Sequence, residues 1–384
     1  MTISSERLIA PLLIISATSL NFSFSIPAGS FGISIEHMLL MLYCCSLLAC
    51  QKSRASLWFI LAAMLTVATG VFGAFFIHPS SLHLISFVIL FGMFPLFIRY
   101  LQRSRNAKRI VYIAFLLILI QCIFFSNSSR GYEVDWDNIF IPGFGTFSRL
   151  AILEFVSNNL ALMLLPFYIY FFHRIQLSSA YFSFDLLFAV LAMALIVATF
   201  SRTGFILAIF ATLFTWKFKP SRVFLLSLVI IPTLVFWSFD TSIDLVRVVI
   251  SAMSREGYGE DARLSVWTRS IASWTSTWSL MIIGTGLQNP PLDNTYLSFI
   301  VGAGVLGLIT LLSIVAALVY WLFEVWKTVS LSQQPIFKTL LVLIIVLLVS
   351  ANTYDIFSQR KIIFSFALII GILLYDSKNS NLRG

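Results

Sequence analysis

The sequence predicts an all-α, polytopic integral membrane protein with about 12 transmembrane helices and two long outer loops. The 384 residues are 59% hydrophobic and only 11% charged, whereas soluble domains have about 25% charged residues. Apolar runs long enough to cross about 30 Å of hydrocarbon recur along the whole chain. The lysines and arginines fall preferentially on one side of these runs. We therefore interpret residues 1–384 as a single transmembrane domain.

The apolar runs define the candidate spans in chain order. These lie at about 8–26, 33–50, 57–77, 82–100, 110–126, 158–173, 183–200, 203–217, 223–240, 294–323, 339–353 and 362–376. The two runs that meet at Ser201 and Arg202 are short and separated only by a polar turn. The run at 294–323 is long enough to tilt or to begin outside the bilayer. No cleavable signal peptide is expected, because the first run is long and lacks a small-residue cleavage site.

The distribution of basic residues places both ends of the chain in the cytoplasm. Every predicted inner segment contains lysine or arginine, whereas the basic residues of the outer segments are almost exclusively arginines. The outer basic residues are Arg130, Arg149, Arg202, Arg247, Arg255, Arg263, Arg269, Arg360 and Lys361. Because arginine binds phosphate in a bidentate fork and stays protonated, they indicate an outer site for a phosphorylated substrate. The net charge of +9 is mainly topological, so no nucleic-acid partner is expected.

Two outer segments, 127–157 and 241–293, are too long to be simple connections. Both contain aromatic and apolar residues, which is not the composition of a disordered segment. In the second loop one apolar stripe at helical spacing predicts an amphipathic helix. Its residues are Leu264, Trp267, Ile271, Trp274 and Trp278. We expect this helix to lie at the membrane surface, with sugar stacking by one of its tryptophans as the alternative.

Four short polar or Gly-rich motifs follow one another in the second half of the chain. They are Ser201-Arg202-Thr203-Gly204, Asp261-Ala262-Arg263-Leu264, Gly284-Thr285-Gly286 with Asp293-Asn294-Thr295-Tyr296, and Gly302-Ala303-Gly304-Val305-Leu306-Gly307. Arg202 lies between two spans, so it must either form an ion pair or bind an anion. The alternative is that the motif is only a turn capped by Ser201 and Thr203. Asp293 is either a helix N-cap, as are Asn294 and Thr295, or a base kept ionised among arginines.

Signatures of soluble enzymes are absent from the sequence, which has no Walker loop, no GxGxxG and no HExxH. The cysteines (Cys44, Cys45, Cys50 and Cys122) lack metal-ligand spacing, and the histidines (His37, His78, His83 and His173) do not cluster. No metal and no cofactor are therefore expected. Glu36 and Asp185 lie near spans, where an acid is a functional candidate, but both are also close to predicted interfaces.

In this order the motifs resemble those of the O-antigen polymerase and ligase superfamily of bacterial membrane glycosyltransferases. The matching segments are Ser201–Gly204, Arg263–Trp267, Gly284–Gly286, Asp293–Tyr296 and Gly304–Gly307. Arg149 with Asn158 and Asn159 is similar to the family's arginine and Asn-Pro-Asn helix start, although the proline is missing. The resemblance covers roughly 145–310. The ligase branch has histidine where this chain has Asp293, which favours a polymerase.

The resemblance implies a polymerase of the bacterial inner membrane, with both termini cytoplasmic and a periplasmic active site. It would transfer a growing glycan from undecaprenyl diphosphate to a sugar hydroxyl of a new lipid-linked repeat unit, without metal or cofactor. The implied catalytic residues are Asp293 as base, with Arg202 and Arg263 at the diphosphate. The implied substrate-binding residues are Arg149, Arg255, Tyr296 and Asn159, with Glu260 and Asp261 as alternative bases.

The partners implied are the undecaprenyl-diphosphate-linked oligosaccharide and membrane lipids, and binding of a polysaccharide chain-length regulator is left open. Two other functions remain: a ligase that transfers finished chains to lipid A-core, and a flippase or transporter of lipid-linked oligosaccharide. Transporters commonly show internal repeats and midplane sites, whereas this chain has its unusual residues in outer loops and no detectable repeat. Arg130, Arg247, Arg269 and Arg360 fall outside the motifs and can pair with outer acids.

Overall fold

The computed structural model describes residues 25–28, 31–34, 107–125, 138–141, 145–148, 157–177, 184–199, 201–215, 260–285, 294–328, 333–353 and 360–380. The helices in these ranges are α1 (Ala107–Phe125), α2 (Ser157–Leu177), α3 (Phe184–Ala198), α4 (Arg202–Thr215), α5 (Glu260–Trp274), α6 (Trp278–Ile283), α7 (Thr295–Thr328), α8 (Gln334–Thr353) and α9 (Arg360–Ser380). The strands are β1 (Ser25–Ala28), β2 (Phe31–Ser34), β3 (Asn138–Ile141) and β4 (Gly145–Ser148). They form two antiparallel hairpins, β1 with β2 and β3 with β4, which the sequence analysis did not predict.

Each predicted span that falls within the described residues is helical, and its bounds agree with the structure to within a few residues. Two helical stretches, Asn158–Leu177 and Gln334–Asn352, are long and apolar enough to cross a membrane, judged by length and composition alone. The predicted spans at 57–77, 82–100 and 223–240 lie outside the described residues. Those at 8–26 and 33–50 do so too, apart from the ends that belong to β1 and β2.

Helix α2 is the central helix of the described part of the chain. Its side chains from Leu160 to His173 are all buried, so no single apolar face can be distinguished. A helix buried on every side must be surrounded by other elements, and α3, α4, α8 and α9 all pack against α2. Helix α1 joins the same core through aromatic contacts. The Phe115 ring lies 5.2 Å from that of Phe171 in α2 and 5.5 Å from that of Phe188 in α3.

Helices α2 and α4 run parallel to each other. Near the start of both helices, Gly204 in α4 contacts Ala161 in α2. Further along, the Tyr168 and Thr212 hydroxyls form a buried hydrogen bond of 2.6 Å. The second contact lies a similar number of residues after the first in both helices, and therefore a similar distance further along both helix axes. Parallel packing places the N-terminal ends of α2 and α4 side by side.

Helix α8 runs antiparallel to this pair. It begins beside the end of α2, where Thr339 Oγ1 and His173 Nδ1 are hydrogen-bonded at 2.7 Å, and it then packs against both α2 and α4. Near the other end of α8, the Leu348 carbonyl accepts a hydrogen bond from Tyr296 in the first turn of α7. The starts of α2, α4 and α7 therefore lie at one end of the helices together with the last turns of α8. We call this the Arg202 end.

Candidate functional site

The Ser201–Gly204 segment forms a capped helix start at the Arg202 end. Ser201 Oγ accepts a hydrogen bond from the Gly204 N–H at 3.2 Å, and the Ser201 carbonyl accepts one from the Phe205 N–H at 2.9 Å. Ser201 is therefore the N-cap of α4, as one interpretation of the sequence proposed. Arg202 is the first residue of the helix, and its side chain is exposed. The cap and the arginine coexist, so the capped turn does not exclude a role for Arg202.

The Gly204 position brings two helix N-termini into close contact. A Cβ added at Gly204 would lie 2.6 Å from the Ala161 Cβ, a distance that real side chains avoid. Glycine thus permits α4 to approach α2 one turn after Asn158 and Asn159, whose side chains are half-buried. Neither helix has an acidic residue in its first turn. Because each helix N-terminus has a partial charge of about +0.5, this pair and Arg202 each contribute positive charge at the Arg202 end.

The start of α7 is fixed by Asn294. The Asn294 Oδ1 accepts a hydrogen bond from the Leu297 N–H at 3.0 Å, which makes Asn294 the N-cap. Its Nδ2 donates to Asn352 Oδ1 in α8 at 3.1 Å. Two residues after Asn294, the Tyr296 hydroxyl donates a hydrogen bond to the Leu348 carbonyl at 2.8 Å. Of the cap candidates Asp293, Asn294 and Thr295, the structure therefore selects Asn294. Any role of Tyr296 in binding substrate has to be compatible with this bond to α8.

The predicted tryptophan helix is shorter than the apolar stripe suggested. Helix α5 ends at Trp274, and Trp278 begins the separate helix α6 after a break. Thr277 Oγ1 caps α6 by accepting a hydrogen bond from the Leu280 N–H. The Trp274 Nε1–H donates to the Met281 carbonyl at 3.2 Å and ties the two helices together. The predicted single helix from Leu264 to Trp278 is therefore interrupted, and this part of the prediction was wrong; Trp278 is 80% exposed.

The described residues include only part of the predicted site. Arg202, Asn159 and Tyr296 lie at the Arg202 end, each at the start of a different helix. Arg263, Glu260 and Asp261 lie in the first turn of α5, and α5 packs against α7. The carboxylates at 260 and 261 occupy positions where negative charge stabilises a helix start. Asp293, Arg149 and Arg255 lie outside the described residues.

A second polar cluster lies at the opposite end of the helices, and the sequence analysis did not assign it. Tyr112 in α1 donates a hydrogen bond to the carboxylate of Asp185 in α3, and Arg174 in α2 lies 3.6 Å from the same carboxylate. Lys108 in α1 pairs with Asp376 in α9 at 3.1 Å. These contacts join α1, α2, α3 and α9 at their common end. A signal was present, since Arg174 and Asp185 flank the short connection between two predicted spans.

Within the described ranges, no group of three or more histidines, cysteines or acids could hold a metal ion. The chain matches no protein-family model. No curated protein matches it as a relative.

Proposed function

We propose that the protein is a membrane polysaccharide polymerase that uses lipid-diphosphate-linked repeat units as donor and acceptor. The observation on which the proposal depends most is the Arg202 end. There the N-termini of α2 and α4 lie side by side, without carboxylates in their first turns and with an exposed arginine. Helix N-termini and arginine side chains both bind anions, so together they can bind a diphosphate at this place.

The proposed membrane arrangement has about 12 spans, with both termini cytoplasmic and the Arg202 end on the outer face of a bacterial inner membrane. Two observations support it. The helical stretches Asn158–Leu177 and Gln334–Asn352 have the length and the composition of membrane spans, with mean hydropathies of 1.4 and 2.2. Cations also occur at the opposite end, where Lys108, Arg109 and Arg174 lie in α1 and α2. This is the distribution expected if that end faces the cytoplasm.

In the proposed reaction a sugar hydroxyl of the new repeat unit attacks the anomeric carbon of the growing glycan. The bond between that carbon and the diphosphate oxygen breaks, and its electron pair leaves with undecaprenyl diphosphate. Arg202 and Arg263 stabilise the charge that develops on the leaving diphosphate, a contribution of about 3–4 kcal/mol per donor in comparable sites. Arg149 and Arg255 support this binding.

Asp293 accepts the hydroxyl proton as general base in this proposal. Asn294 caps α7, so the need for a helix cap does not account for the neighbouring aspartate. Glu260 and Asp261 are the alternative bases. Both lie in the first turn of α5.

Asn159 and Tyr296 are proposed to bind the substrate at the Arg202 end. The Tyr296 hydroxyl already donates to the Leu348 carbonyl, so we expect it to accept a hydrogen bond from a sugar hydroxyl and not to donate one. Membrane lipids and the two lipid-linked oligosaccharides are the proposed partners.

The proposal is tested by arginine substitutions in a strain that lacks the chromosomal gene. We expect Arg202→Ala and Arg263→Ala each to abolish long-chain surface polysaccharide on a gel, with protein levels unchanged. Arg202→Lys should also fail, because lysine has no bidentate fork. The matched control is Arg269→Ala in α5, whose exposed guanidinium donates to the Ser265 carbonyl of its own helix. A normal ladder in both Arg202→Ala and Arg263→Ala would overturn the proposal.

The same gel, run on a deletion strain, separates a polymerase from the alternative functions. Loss of the ladder with a single repeat unit retained on the core indicates a polymerase, and loss of every unit attached to the core indicates a ligase or a flippase. A flippase is then distinguished from a ligase by accumulation of the lipid-linked unit on the cytoplasmic side, which is measured on the membranes and not on the gel. For the base, full activity of Asp293→Asn would remove Asp293 from the mechanism.

A further inference from the structure

The segment after α6 and the interior of α7 meet backbone to backbone. Gly284, which ends α6, has φ 89° and ψ 173°, and Gly304, inside α7, has φ 62° and ψ −155°. Among the described glycines only these two have positive φ. Their region of φ and ψ is occupied essentially by glycine alone. The local backbone therefore requires glycine on both sides of the contact, and at Gly304 it also produces a kink in α7.

Each of the two glycines also faces the backbone of the other segment. A Cβ added at Gly284 would lie 2.3 Å from the Gly302 carbonyl oxygen, and one added at Gly304 would lie 2.4 Å from the Ile282 carbonyl oxygen. Real Cβ atoms essentially never approach another heavy atom closer than 3.0 Å. Backbone atoms cannot move aside as a flexible side chain can, so a methyl group on either glycine must push the segments apart.

Thr285 adds directional bonds to this contact. Its N–H donates to the Val301 carbonyl at 2.8 Å, and its hydroxyl donates to the same oxygen at 3.1 Å. A helix that is interrupted leaves the carbonyls before the break without their usual donors. Thr285 supplies two donors to one carbonyl just before the kink, so the kink and the contact stabilise each other.

We propose that this contact, which we call the glycine clasp (Gly284–Thr285 with Val301–Gly304), is a positioning device. It fixes the arm formed by α5 and α6 against α7. The two helices of the arm are joined by the hydrogen bond from Trp274 in α5 to Met281 in α6. Arg263 is in the first turn of this arm. The catalytic part of the inference rests on the proposed function: the clasp sets the position of Arg263 relative to the start of α7.

The structural part is tested by a distance measurement that does not depend on activity. Spin labels are attached to Ser279→Cys on α6 and Val319→Cys on α7, both exposed, in a background whose four cysteines are alanine. Val319 lies about 22 Å along the helix from Gly304. We expect Gly284→Ala and Gly304→Ala each to shift or broaden the distance distribution. Val305→Ala, one residue from the kink and 42% exposed, should leave it unchanged.

Thr285→Val keeps both glycines and removes only the hydroxyl bond, and it provides the measurement if the alanine variants do not accumulate. We expect it to shift or broaden the distance distribution in the same way as the alanine variants do, but by a smaller amount. Distances that stay at the parent values in every clasp variant obtained would overturn the inference and leave the polymerase proposal unaffected.

The catalytic part is tested by a double-mutant cycle on long-chain synthesis. Each single alanine variant should lower the turnover by about 10- to 100-fold, the loss expected from a displacement on the order of 1 Å. Because either substitution opens the same clasp, the double variant should lose no more than the worse single variant. Losses that multiply, or a displaced arm with normal synthesis, would overturn the positioning role. If Arg263→Ala itself retains a normal ladder, Arg263 has no catalytic role for the clasp to position, and the distances still decide the structural part.

Discussion

Replacing Thr212 by valine should destabilise the protein more than replacing Tyr168 by phenylalanine, although both changes remove the same hydrogen bond. The Thr212 hydroxyl donates its only hydrogen to the Ala208 carbonyl at 2.8 Å. In the 2.6 Å bond between the two side chains, Tyr168 must therefore be the donor and Thr212 the acceptor. This bond joins α4 to α2 in the interior of the two parallel helices.

The two substitutions leave different atoms without a partner. Tyr168→Phe removes a donor, while Thr212 keeps its bond to Ala208, so we expect a loss of about 0.5–1.5 kcal/mol. Thr212→Val leaves the buried Tyr168 hydroxyl, 2% exposed as a residue, without its acceptor and should cost about 1–3 kcal/mol. The double variant has no orphaned hydroxyl and should be more stable than Thr212→Val alone. Interhelical bonds in membranes average about 0.6 kcal/mol, so the lower values apply if α2 and α4 span the bilayer.

The measurement is unfolding of the purified protein in detergent, by denaturant titration and by thermal melting, for both single variants and the double variant. Thr215→Val is the matched control, because the Thr215 hydroxyl makes the same type of bond to the Ala211 carbonyl at 2.7 Å in the same helix. Equal destabilisation by the two single variants, or strictly additive losses in the double variant, would refute the assigned donor and the argument built on it.

Three further outcomes are expected. Gly204→Ala should reduce melting temperature and polysaccharide length together, and Ala161→Gly in the same chain should restore part of both, because it removes the methyl group 2.6 Å away. Asn294→Ala should cost about 0.5–2 kcal/mol in denaturant titration, whereas Asn294→Asp keeps a capping oxygen and should cost less. Asp185→Asn should lower the melting temperature, because it removes the negative charge beside Arg174. The polysaccharide ladder should stay normal at a permissive temperature. A shortened ladder at full protein level would indicate that Asp185 has a role beyond stability.

The positions of the helices could be read from the sequence, because apolar runs and polar caps act within a few neighbouring residues. The runs at 158–173 and 339–353 became α2 and α8 with only their ends extended. Ser201 was recognisable as a cap because it precedes an apolar run. The break after Trp274 was missed, although Thr277 is a typical N-cap residue before the next apolar residues. The apolar spacing continued through the break, so periodicity alone favoured one helix.

The hairpin of β1 and β2 was missed for a similar reason. Gly29-Ser30 lies between short apolar segments and is a typical two-residue hairpin loop. The segments beside it are ends of long apolar runs, and run length favoured helix over strand.

Composition and local patterning by themselves determined that the chain is mainly helical and apolar, approximately where most of the described helices begin, and which arginines are unusual. Tertiary packing alone decided which helices contact one another. The sequence contains the Ser201–Gly204 and Asn158-Asn159 motifs far apart, and only the close approach of Gly204 to Ala161 makes their helix starts neighbours. Likewise, the sequence places Gly284 and Gly304 in two separate motifs, and only the folded chain shows that both have positive φ and that each faces the backbone of the other segment. Secondary structure follows from interactions over three or four residues, whereas a site made from several helix ends depends on how distant surfaces fit together.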